Sequence, residues 1–108
     1  MQTTGLSWTA AEKEIAIAAF QQAYDRETKA LVEEIQAQVT HLSSPEHLWR
    51  LHDYLSARRH DIDGKYDSRD PALLFAFSQL VKEGWLGLED LEGLSAEKLK
   101  KVAALSRM

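Results

Sequence analysis

A helical pattern without interruption occupies the first third of this 108-residue chain. Apolar or small side chains recur every three or four residues at Ile17, Phe20, Tyr24, Leu31, Ile35, Val39 and Leu42, with Thr28 filling the gap. This spacing is that of one face of an α-helix, and neither Gly nor Pro breaks it. Thr9 and Glu12 form a capping box, which predicts the start of the helix. We therefore predict one helix over residues 9–42.

The length of this helix has a consequence for the assembly. At about 1.5 Å per residue it is about 50 Å long, whereas a globule of this size is only about 34 Å across. An apolar stripe that overhangs its own domain needs a cover, and a second copy in a two-fold dimer provides one. We place Ile35 and Val39 in that dimer interface. The alternative is a break near Asp25 to Thr28 that folds the segment into a hairpin, but the sequence there has no turn residues.

A second helix is predicted from Ser44 as N-cap and Pro45 as first residue. Its apolar stripe consists of Leu48, Leu51, Leu55 and Ile62. Leu48 and Leu51 are the positions that we place in the dimer interface. Asp63 and Gly64 form a turn signal and predict the end of this helix.

Three shorter helices are predicted in the remainder of the chain. Asp70 and Pro71 form the N-cap and first residue of a third helix that ends at Gly84. Its apolar residues cover much of its circumference, which predicts extensive burial; they are Leu73, Leu74, Phe75, Phe77, Leu80 and Val81. A short helix at 88–91 and another from Ser95 follow. We predict a single all-α domain over 1–108, with extended dimerisation helices at about 7–64 and a compact helical head at about 65–108.

One face of the second helix carries the side chains best suited to a function. At 100° per residue the polar and aromatic side chains of this helix fall together; they are Trp49, His52, Asp53, Ser56, His60 and Asp63, with Arg59 near the boundary. An exposed Trp beside Arg is typical of a protein interface, so we interpret this face as a partner-binding surface. The alternative is that Trp49 packs against another helix or a second protomer, while Asp53 and Arg59 form a solvated pair.

Catalytic and metal-binding interpretations of the same residues are weaker. His52 and Asp53 are adjacent, so their side chains diverge by about 100° and are not expected to hydrogen-bond as a base and its orienting group. His52 and His60 are two turns apart rather than four residues apart, as helical metal ligands usually are. Residues 59–70 resemble a calcium loop, but Arg59 stands where its first carboxylate is needed. We predict no enzymatic activity, no cofactor and no metal.

Charge and composition restrict the partners and the compartment. The net charge of −4 gives no general reason to bind nucleic acid or anionic lipid. A short basic cluster, Lys98, Lys100 and Lys101, is offset by upstream acidic residues and is interpreted as a solvated face. The chain has no cysteine, its residues 1–6 lack a signal-peptide pattern, and no apolar run approaches a membrane span. We therefore expect a cytoplasmic protein without integral membrane insertion.

The run from Leu48 to Arg69 resembles the signature of the cyanobacterial fluorescence recovery protein family. The resemblance extends to Trp8, to the Gln36-Ala37-Gln38 segment and to the overall length. It implies an all-helical homodimer that binds the C-terminal domain of photoactivated orange carotenoid protein. The resemblance leaves open whether higher oligomers also form. Such a protein promotes detachment of its client from the phycobilisome and accelerates its return to the inactive orange form. A peripheral association with thylakoid membranes stays open.

The resemblance also implies site residues. The family's functional patch falls on Trp49, His52, Asp53 and Arg59, and Leu48 matches an apolar position of the dimer interface. A second contact region in the head falls on Phe75 and Lys101. Trp49 and Arg59 can serve either the client or the dimer. The alternative function is a helical homodimeric interaction module with a different protein client.

Overall fold

The computed structural model describes residues 7–108, so the expectation about residues 1–6 lies outside the described part. The described chain consists of four α-helices and two short 3₁₀ turns, and the predicted all-α class is confirmed. The helices are α1 (Ala10–Val39), α2 (Pro45–Lys65), α3 (Leu73–Lys82) and α4 (Ala96–Ser106), and the 3₁₀ turns are Asp70–Ala72 and Leu88–Leu91. The molecule is elongated, with extents of 55 × 25 × 25 Å.

The predicted long first helix is confirmed. The hydroxyl of Thr9 accepts the backbone N–H of Glu12 at 3.0 Å, and the Glu12 carboxylate accepts the N–H of Thr9 at 3.1 Å. From this capping box α1 runs for 30 residues without the alternative break near Asp25 to Thr28. It ends at Val39 rather than Leu42, because the chain turns there to enter α2.

The start of α2 was predicted correctly, but its end was not. The Ser44 hydroxyl accepts the N–H of His47 at 3.2 Å, as an N-cap should. The predicted turn at Asp63-Gly64 is wrong, since α2 continues through Gly64 to Lys65. Glycine tolerates helical geometry at a modest cost, and the ion pairs of Lys65 described below hold this last turn in place.

The core-facing side of α1 differs from the predicted stripe by one residue. The buried residues of α1 are Glu12, Ala16, Ala19, Ala23 and Glu27. In the predicted stripe, Ile17 is 68% exposed and Tyr24 is 45% exposed, so the core face is rotated by about 100°. Alanines allow the segments that follow to approach closely. These helices and connecting loops supply the larger core residues, which are Leu73, Leu74, Phe77, Leu80, Leu86, Leu91, Leu94 and Val102.

The start of α3 also differs from the prediction. Asp70 opens a 3₁₀ turn instead of capping the helix, and α3 begins at Leu73. The Asp70 carboxylate instead pairs with Lys13 of α1 at 3.0 Å. Phe75, predicted among the buried positions, is 64% exposed. The predicted end is confirmed, because Gly84 has a φ of +88° just beyond the helix.

The basic cluster of α4 is divided between core and surface. Lys98 is buried, so its interpretation as part of a solvated face is wrong, whereas Lys101 is exposed. The Lys98 ammonium donates to Glu12 at 2.8 Å and to the Ser7 carbonyl at 2.6 Å. It also lies 4.7 Å from the centre of the Trp8 ring. These three contacts compensate for the burial of the Lys98 ammonium, and they form because α4 packs against the start of α1.

Candidate functional site

The Trp49 face, defined as Trp49, His52, Asp53 and Arg59, lies on the exposed side of α2. The Trp49 side chain is 62% exposed. Its ring meets the His52 ring edge-on, with the ring centres 6.2 Å apart. The Trp49 ring is therefore largely open to solvent, and the surface presents an aromatic ring beside polar groups.

One side-chain hydrogen bond and one ion pair organise the polar part of this face. His52 Nδ1 lies 3.2 Å from Asp53 Oδ1, so the expectation that these neighbours cannot hydrogen-bond is wrong. Both side chains lie on the open surface and can lean toward each other without steric hindrance. Arg59 pairs with Asp63 at 3.6 Å rather than with Asp53 as the alternative supposed. Such exposed contacts contribute little to stability, so their polar groups remain available for recognition.

The opposite side of α2 faces α1 and fixes the direction of the Trp49 face. The Tyr54 hydroxyl donates to both oxygens of Glu34 at 2.8 Å. This contact raises the pKa of Tyr54, because a hydrogen bond to a carboxylate favours the protonated phenol. Further toward the end of α2, Arg58 donates to Glu27 of α1 at 3.3 Å. With these side chains directed to α1, the Trp49 face is directed away from it.

Phe75 and Lys101 lie together at a second surface, between α3 and α4. They line an apolar depression of about 320 Å³, which we call the Phe75 groove. Its other lining residues are Trp8, Asp70, Pro71, Leu74, Ala104 and Leu105. The groove thus combines an exposed aromatic ring with one cation and one carboxylate at its edge. These further lining residues were missed by sequence reasoning, and only the position of Trp8 just before the capping box gave a hint.

A cluster of buried charges joins the end of α2 to α1. The Glu27 carboxylate, in a residue only 1% exposed, accepts from Lys65 Nζ at 2.6 Å and from the Tyr66 hydroxyl at 2.7 Å. Lys65 also donates to Glu83 at 2.6 Å. We call Glu27, Arg58, Lys65, Tyr66 and Glu83 the Glu27 cluster. No pattern in the sequence indicated it.

Contacts within the Glu27 cluster shift the pKa values of Lys65, Tyr66 and Glu83. Burial alone lowers the pKa of Lys65, but hydrogen bonds and charge from Glu27 and Glu83 outweigh it and raise that pKa. Burial and the Glu27 carboxylate both raise the pKa of Tyr66. Burial raises the pKa of Glu83, and the Lys65 ammonium more than reverses this and lowers it. These three pKa directions favour a charged Lys65, a protonated Tyr66 and an ionised Glu83.

Two further features bear on ligands and membranes. Within residues 7–108, no three His, Asp or Glu side chains come close enough together to hold a metal ion. In the same part of the chain, none of the helices combines the length and apolarity that crossing a bilayer requires.

Comparison with known proteins relates this geometry to a family. A family model described as photoprotection regulator fluorescence recovery protein matches residues 8–106. The chain belongs to the fluorescence recovery protein family. The family is one of photoprotection regulators, and its description names no enzymatic activity. The resemblance seen in the sequence is thereby confirmed.

Individual members of the family agree with this chain over nearly its full length. The fluorescence recovery protein of Synechocystis sp. is 45% identical over 108 residues, which is 100% of this chain and 99% of that protein. Its solved structure is 46% identical, with a TM-score of 0.89, and covers 94% of this chain and 100% of its own. The structure of the Fremyella diplosiphon fluorescence recovery protein is 50% identical, also with a TM-score of 0.89 and the same coverage.

Proposed function

We propose that this protein binds photoactivated orange carotenoid protein, promotes its detachment from the phycobilisome and accelerates its return to the inactive orange form. The observation that carries this proposal is the Trp49 face, which is open to solvent in a chain of this family. Its aromatic ring, imidazole, carboxylate and guanidinium have the composition of an interface hot spot. None of them is committed to the core, so their surface is free for a partner.

The Phe75 groove forms the second part of the proposed client site. Phe75 is 64% exposed, and a large aromatic ring at an apolar depression is typical of a protein contact. Lys101 adds a positive charge that fits an acidic client surface. In this proposal the two surfaces contact the client's C-terminal domain. The protein acts in the cytoplasm, and the proposal is compatible with a peripheral association at thylakoid membranes.

A homodimer formed through the hairpin of α1 and α2 completes the proposal. At the end of this hairpin away from the core, Val39 is 50% exposed and Leu48 is 48% exposed. Ile35 and Leu51, nearby on the same two helices, are only half-buried. Apolar side chains arranged along two helices without a cover favour association with a second copy. We propose 1–108 as one domain, with dimerisation by the hairpin and a compact head formed from about residue 65 onward.

Acceleration of relaxation requires no bond breaking by this protein. A binding protein speeds a conformational change only if it binds the transition state more tightly than the starting state. A surface that holds the separated client domains in a compact arrangement meets this condition. Weak affinity for the orange form then allows release and a further cycle.

The deciding experiment follows the dark red-to-orange relaxation of photoactivated orange carotenoid protein with substoichiometric amounts of this protein. We expect the wild type to accelerate relaxation, and W49A and R59L to lose most of that acceleration. Lys100→Ala, an exposed change on α4, is the control and should retain it. Sedimentation of each variant establishes that a loss does not come from a changed oligomeric state.

Absence of acceleration by the wild type would contradict the proposed function. A folded dimer without effect on this client would favour the second candidate, a homodimeric interaction module with another client. The dimer itself is tested by Leu48→Glu, which should shift the sedimenting species toward monomer. Leu88→Glu, at an exposed leucine of the second 3₁₀ turn, should leave it unchanged.

A further inference from the structure

Glu27 is the most buried acidic residue of the described chain, and the proposed client surfaces do not include it. Only 1% of it is exposed, at the middle of α1. Its carboxylate accepts hydrogen bonds from three side chains, namely Arg58 at 3.3 Å, Lys65 at 2.6 Å and Tyr66 at 2.7 Å. All three donors belong to the last turns of α2 or to the residue that follows it.

Lys65 extends the connection from α2 to α3. Its side chain is 5% exposed, and its ammonium donates to Glu83, the C-cap just beyond α3, at 2.6 Å. One lysine thus joins a carboxylate on α1 to another at the end of α3. A charge this deeply buried is stable only when partners surround it, so the geometry of three helices is specified at one point.

The Glu27 cluster connects the helices that carry the two proposed client surfaces. The Trp49 face lies on α2, whose last residue is Lys65. Phe75 lies on α3, which Glu83 caps. Beyond α2 the chain continues through residues 66–72, which contain no α-helix, before α3 begins. The relative position of the two surfaces therefore depends on how α2 and α3 each pack against α1 and on contacts between α2 and α3, and Lys65 supplies a direct link between these two helices.

The chemistry of the cluster suits positioning better than stability. Buried ion pairs often contribute no more than apolar residues of the same size, because desolvation offsets their attraction. They differ in being directional, since each hydrogen bond accepts a narrow range of distance and angle. An apolar contact at this point would tolerate sliding of α2 along α1, whereas shared carboxylate oxygens oppose it.

We propose that Glu27 is a positioning residue that, through Lys65 and Glu83, holds the Trp49 face and the Phe75 groove at one mutual distance. This inference rests on the proposed function, in that both surfaces then engage one client molecule. Two linked contacts bind more tightly than either alone only when their spacing matches the partner. Loss of the Glu27 cluster should therefore reduce the cooperation between the Trp49 face and the Phe75 groove in client binding, while the side chains of both surfaces stay unchanged.

The first test requires no client. The chain has no native cysteine, so Ala57→Cys on α2 and Lys100→Cys on α4 introduce two exposed sites for spin labels. Labelled protein is diluted with excess unlabelled protein so that distances within one chain dominate. We expect a single narrow distance in the wild-type background and a broadened or shifted distribution with E27Q.

A second variant separates positioning from unfolding. E27Q leaves Lys65 with one carboxylate fewer, so E27Q combined with Lys65→Met removes both buried charges and keeps similar volumes. The double variant should remain helical by circular dichroism and still show the broadened distance. Glu14→Gln, the same change at an exposed position of α1, is the matched control and should retain the narrow distance.

The third measurement uses the client. In the wild type, Phe75→Ala should raise the concentration that gives half-maximal acceleration of relaxation. In the E27Q/K65M background, the same Phe75→Ala change should have an effect at least about twofold smaller, because the two surfaces no longer act together. A residue that only stabilised the fold would leave the effect of Phe75→Ala unchanged.

The outcomes separate this inference from the proposed function. An unchanged narrow distance in a folded E27Q/K65M variant would overturn the positioning role, whatever the client does. A broadened distance with an undiminished effect of Phe75→Ala would equally overturn it. If the wild type accelerates no relaxation, the proposed function fails, whereas the distance measurement still decides whether Glu27 fixes the helices.

Discussion

The ammonium of Lys98 on α4 lies 2.8 Å from the carboxylate of Glu12 in the first turn of α1. The same carboxylate accepts the backbone N–H groups of Thr9 and Ser95. The N-terminal caps of α1 and α4 are therefore joined through one buried side chain. This arrangement holds α4 against the start of α1 and makes part of the protein's stability dependent on pH.

Stability should fall in acid because of Glu12. The hydrogen bond from Lys98, helped by the backbone N–H groups of Thr9 and Ser95 against the effect of burial, lowers the pKa of Glu12 to about 2. The pKa of Glu12 is therefore lower in the folded state than in the unfolded state, where it is near 4.5. The ionised Glu12 stabilises the fold fully above pH 4.5, and this contribution is lost as the pH falls toward 2. It amounts to at most about 3 kcal/mol. In urea unfolding at several pH values, the difference in free energy of unfolding between wild type and E12Q should be largest near pH 7 and should shrink in acid.

The control for this prediction is Glu14→Gln, which alters an exposed carboxylate two residues farther from the cap. Its free energy of unfolding should follow the wild type within about 0.5 kcal/mol. A difference between wild type and E12Q that stayed constant from pH 7 to pH 3 would show that the Glu12 charge is not stabilised by folding.

Enlarging the buried alanine face of α1 should destabilise the protein. Ala19 is 1% exposed within the main core, so Ala19→Leu forces extra methyl groups against α3 and its neighbours. Overpacking of this kind costs about 1–3 kcal/mol. Ala18→Leu, one residue away and exposed, should change the free energy of unfolding by less than about 0.5 kcal/mol. Equal effects in urea unfolding would mean that the core face of α1 is assigned to the wrong side.

Two phenylalanines on α3 should separate client contact from stability. Phe75 is 64% exposed and Phe77 is 0% exposed. Phe77→Ala should therefore cost about 3–5 kcal/mol of stability, whereas Phe75→Ala should cost less than about 0.5 kcal/mol. The effect on client relaxation should have the opposite order, because Phe75→Ala should weaken the acceleration while the protein stays fully folded. Thermal unfolding and relaxation kinetics on the same preparations give both quantities.

Two glycines should respond in opposite directions to alanine. Gly64 lies inside α2, and a Cβ there would meet no atom within 4 Å. Gly64→Ala should therefore stabilise the protein by about 0.5–1 kcal/mol. Gly84 has a φ of +88°, which L-residues adopt at a cost of about 1–2 kcal/mol, so Gly84→Ala should destabilise it. Destabilisation by Gly64→Ala would contradict the helical position of Gly64 and would favour the turn that the sequence predicts there.

Local signals in the sequence were sufficient for the helices and several of their ends. The Thr9 capping box, the Ser44-Pro45 pair and the Ser95 cap act over three or four residues, and each forms as predicted. The Trp49 face followed from the 3.6-residue period of α2 alone. Such features depend on neighbouring residues, so they can be deduced without knowledge of the rest of the fold.

Other features depend on partners that are distant in the sequence. The core face of α1 was misassigned because its alanines give a weak hydrophobic signal, and only packing of α3 and α4 selects them over Ile17. Glu27 and Lys98 are buried through partners 38 and 86 residues away. The Phe75 groove likewise exists only where α3 and α4 meet.

The sequence by itself thus determined an all-helical chain, its long first helix, its family and the polar face of α2. Only the tertiary structure decided which side of α1 enters the core and which charged side chains are buried. The physical reason is range: helix propensity, capping and periodicity are set within a few turns. Burial and ion pairing are set by whichever segments the folded chain brings together.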